Sequence, residues 1–470
     1  PAPDDLVLPR LVELYEMRML DPAILKDLPL VFDTRMYGLG LTNLKKLRKR
    51  YGLTKTRTQS HTVESIDAEI CWLRAKFPTS GLERMRDHLT KYCHKWVSRA
   101  VLTDWFRINE PELFRSRQRG RLFHRRFWSA GPFDLWCVDQ HDKWKKFGLR
   151  LHIGLDPFTG VIKWLKIWWT NRNPILICSY YLDAIAATGF MPLVTQSDPG
   201  TENVRLAKAH TFLRQWNDRD LAGTIQHRWM HLKKNIPPEI SWSQMRRSWA
   251  PGFEMLLEEG LRRGIFSPGN PLEVLIFRYI FIPFLQSELD DYVYMVNRRI
   301  KRRDKKRVRP HGVPLHIEQR PQFYGSRSYA VAIEPEAIES ARGIYAPPEH
   351  RVFMLVPDSF RLLADEMMEE LGSPEVVQER VWELYLELLQ MFHARGIIGD
   401  PEWTEFVNMA PEQKDRPDEE EDIPDEPIPA EQPLRWNEHI QYYGGVNGGL
   451  GQRKCVSISM RILLIFCVIS

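Results

Sequence analysis

What this 470-residue chain has little of is cysteine, and nowhere does it hold a long apolar run. The six cysteines, Cys71, Cys93, Cys137, Cys178, Cys455 and Cys467, form no Cys-x-x-Cys pair. That argues against a disulfide framework or a structural zinc site and for a reducing compartment. A membrane-spanning helix needs about 20 consecutive apolar residues. The terminal run Ile462–Ile469 is too short, nothing elsewhere reaches that length, and no signal-peptide pattern is visible near the start. A soluble intracellular protein without membrane partners is expected.

Acid is missing where base is concentrated. Residues 113–130 hold six arginines and no carboxylate, and residues 298–309 are almost as basic. The acidic stretch Asp415–Glu426 offsets them, so a formal charge of only +5 conceals segregated faces. Such segregation fits a polyanionic partner better than the net charge does.

What is present is enough apolar side chain to fold, at 43% of the residues. The length calls for about two to four structural units. Residues 1–58 read as short helices, the sharpest being 41–53. There Thr42 is placed to cap, Leu44 and Leu47 to face inward, and Gly52 to terminate. Its outer face would be Lys45, Lys46, Arg48, Lys49 and Arg50, suited to phosphates and a major groove. A solvated basic face is the alternative. Residues 59–112 read as a second helix-turn-helix-like unit, with helices expected over 63–75, 81–92 and 97–106. Residues 113–130 form a basic, aromatic-laced linker.

From Gly131 the apolar period changes from helical to alternating. Strands are expected over 135–139, 149–155, 161–169 and 193–197, with a hairpin turn at Asp156–Gly160 and a helix over 174–188. Helices follow over 204–216, 239–249 and 253–263, then a long apolar-rich stretch 272–299. Strands followed by layered helices define an α/β domain over 131–325. Residues 326–410 read as a helical C-terminal region, with Ser373 placed to cap a helix over 375–393. Residues 411–470 read as an acidic, proline-rich tail and terminal segment, expected from composition to be disordered.

Three acids stand out by context. Asp139 ends the run Phe133–Asp139, Asp198 closes Met191–Asp198, and Glu239 opens an amphipathic helix that Asn235 is placed to cap. Cleaving or exchanging a phosphodiester needs an activated oxygen nucleophile and relief of developing charge. Two Mg²⁺ or Mn²⁺ ions roughly 3.5–4 Å apart supply both, and such hard cations take oxygen ligands. Asp139 suits the bridging position, Asp198 one ion and Glu239 the other. Each has plainer competitors. Asp142 and Asp156 read as turn acids, Glu202 as a helix-start acid, and Glu254, Glu258 and Glu259 as a solvated face.

Trp136–Lys143 resembles the first acidic motif of integrase core domains, and Ser197–Asn203 resembles the second. Asn235, Glu239, Trp242, Met245, Arg246 and Arg247 look like the third. The likeness is to eukaryotic integrase-core proteins related to DNA transposons and retroelement integrases. It implies an RNase H-like mixed sheet flanked by helices and preceded by helix-turn-helix units. It also implies a catalytic and metal-binding triad of Asp139, Asp198 and Glu239, DNA ends and target as partners, and homo-oligomers. Lys143, Lys233, Arg246 and Arg247 are expected on the DNA backbone, and nuclear residence follows from that substrate. Pro199 and the pair Pro237-Pro238 depart from the family pattern, and the zinc module of retroviral integrases is missing. Two other readings stay open: a domesticated, catalytically silent DNA-binding protein, and a simple RNase H-type nuclease acting on RNA–DNA hybrids.

Overall fold

A computed structural model describes residues 2–54, 56–116, 127–230, 235–301, 310–409, 434–437 and 440–442. Lys233, most of the 113–130 linker, most of the 298–309 cluster, the acidic stretch and the terminal apolar run lie outside them.

Five strands form the central sheet: β1 (Leu135–His141), β2 (Arg150–Leu155), β3 (Ile162–Trp168), β5 (Val194–Ser197) and β6 (His227–Trp229). Their order is β3-β2-β1-β5-β6, antiparallel from β1 to β3 and parallel from β1 through β6. The run Leu135–Val138 is wholly buried, as expected of a central strand covered on both faces. A separate two-stranded piece pairs β4 (Phe190–Met191) with β7 (Val331–Ala332). A short hairpin, β8 (Leu434–Asn437) with β9 (Ile440–Tyr442), completes the strands.

The helices before the sheet fall into two sets. In the first are α1 (Asp4–Glu16), α2 (Asp21–Asp27) and α3 (Leu41–Arg50), which enclose their own small core of Val7, Leu11, Leu14, Ile24, Leu28, Leu44 and Leu47. After α4 (Thr56–Gln59) come α5 (Asp67–Lys76), α6 (Leu82–Cys93), α7 (Arg99–Asn109) and α8 (Pro111–Ser116). Ile70, Leu73, Leu89 and Phe106 of this second set join the same apolar cluster as the sheet. The stretch 59–112, read from sequence as a unit of its own, therefore shares its core with the α/β domain.

Beyond β3 run α9 (Pro174–Thr188), α10 (Val204–Asn217), α11 (Ile236–Ser248), α12 (Ala250–Arg262) and α13 (Pro271–Arg298). Helix α11 packs on β1 and β2, α10 on β5 and β6, and α9 and α13 on β3. The outer edge of β3 is closed by side chains of α13. Gln286 bonds Ile167 N and Leu165 O, and Asn297 bonds both backbone groups of Ile162. An edge strand sealed in this way offers no open ladder to another chain. The remaining helices are α14 (Pro314–Gln319), α15 (Pro335–Tyr345), α16 (Asp358–Glu370), α17 (Val381–Ala394) and α18 (Pro401–Asn408). Helix α14 packs on α13, and α15 to α18 pack against α9, α10 and α13 and extend the same core. No helix among the described residues is long and apolar enough to cross a membrane.

Two local expectations are corrected. Helix α3 starts at Leu41 with Gly40 at its cap, so Thr42 lies inside it, while Gly52 does take the left-handed conformation just past its end. Ser373 does not open a helix. With Gly372 it adopts positive φ and closes α16, its N–H returning to Met368 O, and α17 begins only at Val381.

Candidate active site

The strand register brings the first two acids together. Cys137 pairs with Gln196 across parallel β1 and β5; Asp139 and Asp198 follow two residues later on each segment, near enough for the charge of Asp198 to act on Asp139. Helix α11 crosses β1, and its residue Trp242 donates its indole N–H to Asp139 Oδ2 at 2.9 Å. Trp242 also stacks on His141, with centroids 4.8 Å apart. Glu239, one turn earlier on α11, is exposed.

The electrostatics of Asp139 record this convergence. Burial first, and then the charge of Asp198, push its carboxyl up to about 7, and Glu239 adds to the rise. The N–H of Gln140 and the indole of Trp242 oppose it. Nearby, His141 is pushed down to about 4 by burial, helped by the positive charges of Arg246 and Lys143. Lys143, Arg246 and Arg247 are all exposed around this end of the sheet.

Asp198 sits on a buried support. Ser197 donates to Asp198 O at 2.9 Å, so its hydroxyl must accept from His227 Nε2 at 3.1 Å. The other ring nitrogen, Nδ1, then accepts from Thr195 at 2.8 Å. This chain assigns a neutral ring, in keeping with burial that pushes His227 down to about 3. Gly200 leaves room for Glu202: its backbone is extended, and a Cβ there would stand 2.1 Å from the Glu202 carboxylate, which would have to shift. Glu202 in turn accepts from Gln140 at 3.0 Å and Asn203 at 2.9 Å, and burial raises its pKa. Sequence reasoning took Glu202 for a plain helix-start acid. Only its place four residues after Asp198 hinted at a link to the neighbour of Asp139, and β6, three residues long, carried no signal for His227.

The competing acids have structural duties. Asp156 accepts the turn N–H groups of Phe158 and Thr159, Asp142 pairs with Arg150 at 3.1 Å, and Glu254 accepts from Trp144. The outlying basic residues separate too. Lys45, Lys46, Lys49 and Arg50 are exposed on α3, with Arg50 paired to Asp4. Arg48 is buried, bonded to Asp21 at 2.7 Å and Leu53 O at 3.1 Å and lying over the Tyr15 ring, so it faces inward rather than toward a phosphate. Asn235 makes no capping bond to α11.

The three acids offer only carboxylate oxygens, which suits Mg²⁺ or Mn²⁺; Asp139 is raised chiefly by burial, with the charges of Asp198 and Glu239 adding to it. As placed, no group of three or more His, Cys, Asp or Glu among the described residues is gathered closely enough to hold a metal ion. The donor chemistry thus fits, with Asp139 buried and Glu239 exposed.

The five-stranded mixed sheet flanked by helices is the α/β layout of an integrase core, a domain that suggests a polynucleotidyl transferase-like class. Residues 127–316 match the family model described as integrase core domain, and this segment is an integrase core domain. No curated protein matches the chain.

Proposed function

We propose that the protein is a DDE-type integrase or transposase that cleaves DNA and transfers strands, with Asp139, Asp198 and Glu239 as its metal ligands. The observation that carries this reading is the Asp139 carboxyl, bonded by Trp242 of the helix that carries Glu239 and raised to about 7, first by burial and then by the charges of Asp198 and Glu239. Bound there, a pair of Mg²⁺ or Mn²⁺ ions would activate the attacking oxygen and neutralise charge on the leaving one. The chain's own part is placement. Trp242 and the Gln140 N–H hold the Asp139 carboxylate, and the Ser197–His227 chain holds the backbone of Asp198. Lys143, Arg246 and Arg247 flank the site and would bind the DNA backbone, with Lys45, Lys46 and Lys49 on α3 serving recognition of element ends. Joining element ends to a target calls for paired copies of the site, hence a homo-oligomer, and a DNA substrate calls for nuclear residence.

A second reading, a domesticated and catalytically silent DNA-binding protein, is favoured by the exposure of Glu239 and the absence of a closed ligand cluster among the described residues. The test is nicking and strand transfer on DNA carrying the element's flanking ends, with Mg²⁺ or Mn²⁺, comparing wild type, Asp139→Asn and Glu239→Gln. Metal-dependent products lost in both variants establish the transferase. Loss in Asp139→Asn alone means another acid is the third ligand. Folded wild type that binds DNA and yields no product moves the assignment to the silent binder.

A further inference from the structure

We propose that Asn235 is a positioning residue, a buried pin that ties the three acid-bearing segments together and sets where the helix of Glu239 begins. The inference rests on the transferase reading for its consequence in catalysis, although the pin itself is a matter of geometry.

Asn235 precedes α11, where an asparagine ordinarily turns its side-chain oxygen to the N–H of the second or third helical residue. Those residues are Pro237 and Pro238, and neither has an N–H. The local partner is therefore missing, and Asn235 is fully buried without a capping bond. Its amide spans to the sheet instead. Nδ2 donates to Val138 O at 2.8 Å, and Oδ1 accepts from Gln196 Nε2 at 3.2 Å.

The partners are what make this more than a satisfied core amide. Val138 immediately precedes Asp139, Gln196 stands two residues before Asp198, and Asn235 stands four before Glu239. One amide thus bonds to the strand of each aspartate and lies one helical turn from the glutamate. The proline pair has a second effect beyond suiting a helix start: it removes the donors that would compete for Asn235. Trp242, one turn beyond Glu239, adds a further tie from α11 to Asp139. Glu239 lies between these two anchors.

The experiment uses the full chain as wild type, Asn235→Ala and Asn235→Asp. Amide hydrogen exchange is followed in α11, with α13 as the internal reference. In Asn235→Ala, exchange over residues 239–242 should quicken by about tenfold, with α13 unchanged. Asn235→Asp keeps an acceptor for Gln196 but turns a carboxylate oxygen toward Val138 O, so exchange over 239–242 should quicken at least as much as in Asn235→Ala; if either variant does not fold, the other decides. Unaltered exchange in α11 overturns the pin, whether or not the wild type cleaves DNA. With active wild type, Asn235→Ala should lower kcat on the order of 100-fold at unchanged KM for DNA. It should also raise the Mn²⁺ concentration needed for half-maximal rate. A loss confined to Tm or to KM would make Asn235 merely structural. Wild type without activity defeats the transferase reading, while the exchange result still decides the pin.

Discussion

The indole N–H of Trp242 donates to Asp139 Oδ2 at 2.9 Å, so the helix that carries Glu239 also grips the central acid of the sheet. This bond stabilises the ionised form of a carboxyl that burial and neighbouring acids otherwise disfavour. Trp242→Phe keeps a ring to stack on His141 and deletes the bond. Asp139 should then titrate higher still, and the rising limb of a pH–rate profile should move to more alkaline pH. A stability loss of about 1–3 kcal/mol is expected by denaturant titration. An unmoved pH profile would show that the bond does not tune Asp139.

Asp139 also links stability to pH. Its folded value of about 7 lies above the ordinary 3.8, so between these values the folded protein holds a proton that the unfolded chain has released. Its contribution to stability is full below about pH 4 and is lost as pH rises toward 7. In the metal-free protein, Asp139→Asn should match wild type near pH 4 and exceed it at pH 8, by about 4 kcal/mol. Paired thermal melts across that range check the sign. An advantage that is constant with pH would mean the group is not raised.

The N-terminal helices dock through Asp27. Burial alone would raise this carboxyl, but hydrogen bonds from Arg10 and His316 and the charges of Arg10 and Arg320 outweigh it and hold it well below the usual range. Arg10 bonds it at 2.7 and 2.8 Å and Arg320 at 3.1 Å. Its stabilising contribution is present above the unfolded pKa and is lost as pH falls through the folded one. Asp27→Ala should lower stability by roughly 3–5 kcal/mol at neutral pH, because the clustered cations lose their shared carboxylate. Limited proteolysis between α3 and α5 should become faster in parallel.

Helix α3 separates two kinds of basic residue. Lys49→Ala should reduce the slope of log affinity for DNA against log salt by about 0.9 if it meets a phosphate, with Tm unchanged. Arg48→Ala should instead lower Tm, since it breaks a buried pair with Asp21. DNA titrations at several salt concentrations, read beside melting curves, distinguish the two. Equal effects on both measurements would mean the faces have been misread.

Much of the site was legible because its signals are local. An apolar run ending in an acid marks a strand tip, so Asp139 and Asp198 stood out, and β1, β2, β3, α9 and α10 lie close to where periodicity put them. The basic outer face of α3 was readable as a face, yet Arg48 was not separable from Lys49. The two differ only in which way they point, and Asp21 supplies the difference. Likewise Asn235 was readable as a helix-start residue. Its bonds to Val138 and Gln196 depend on segments 97 and 39 residues away.

By itself, then, the sequence determined the order of the elements and offered three candidate acids, whose oxygen donors suit a hard cation, since each follows from residue type and short-range period. Tertiary structure alone decided that Asp198 comes near enough for its charge to act on Asp139 and that Trp242 holds Asp139. It also decided that the helices of 59–112 share the core of the sheet. Those relations arise from strand register and from burial against distant segments, where partners far apart in the chain meet and the low-dielectric interior makes an unmet polar group too unfavourable to leave alone.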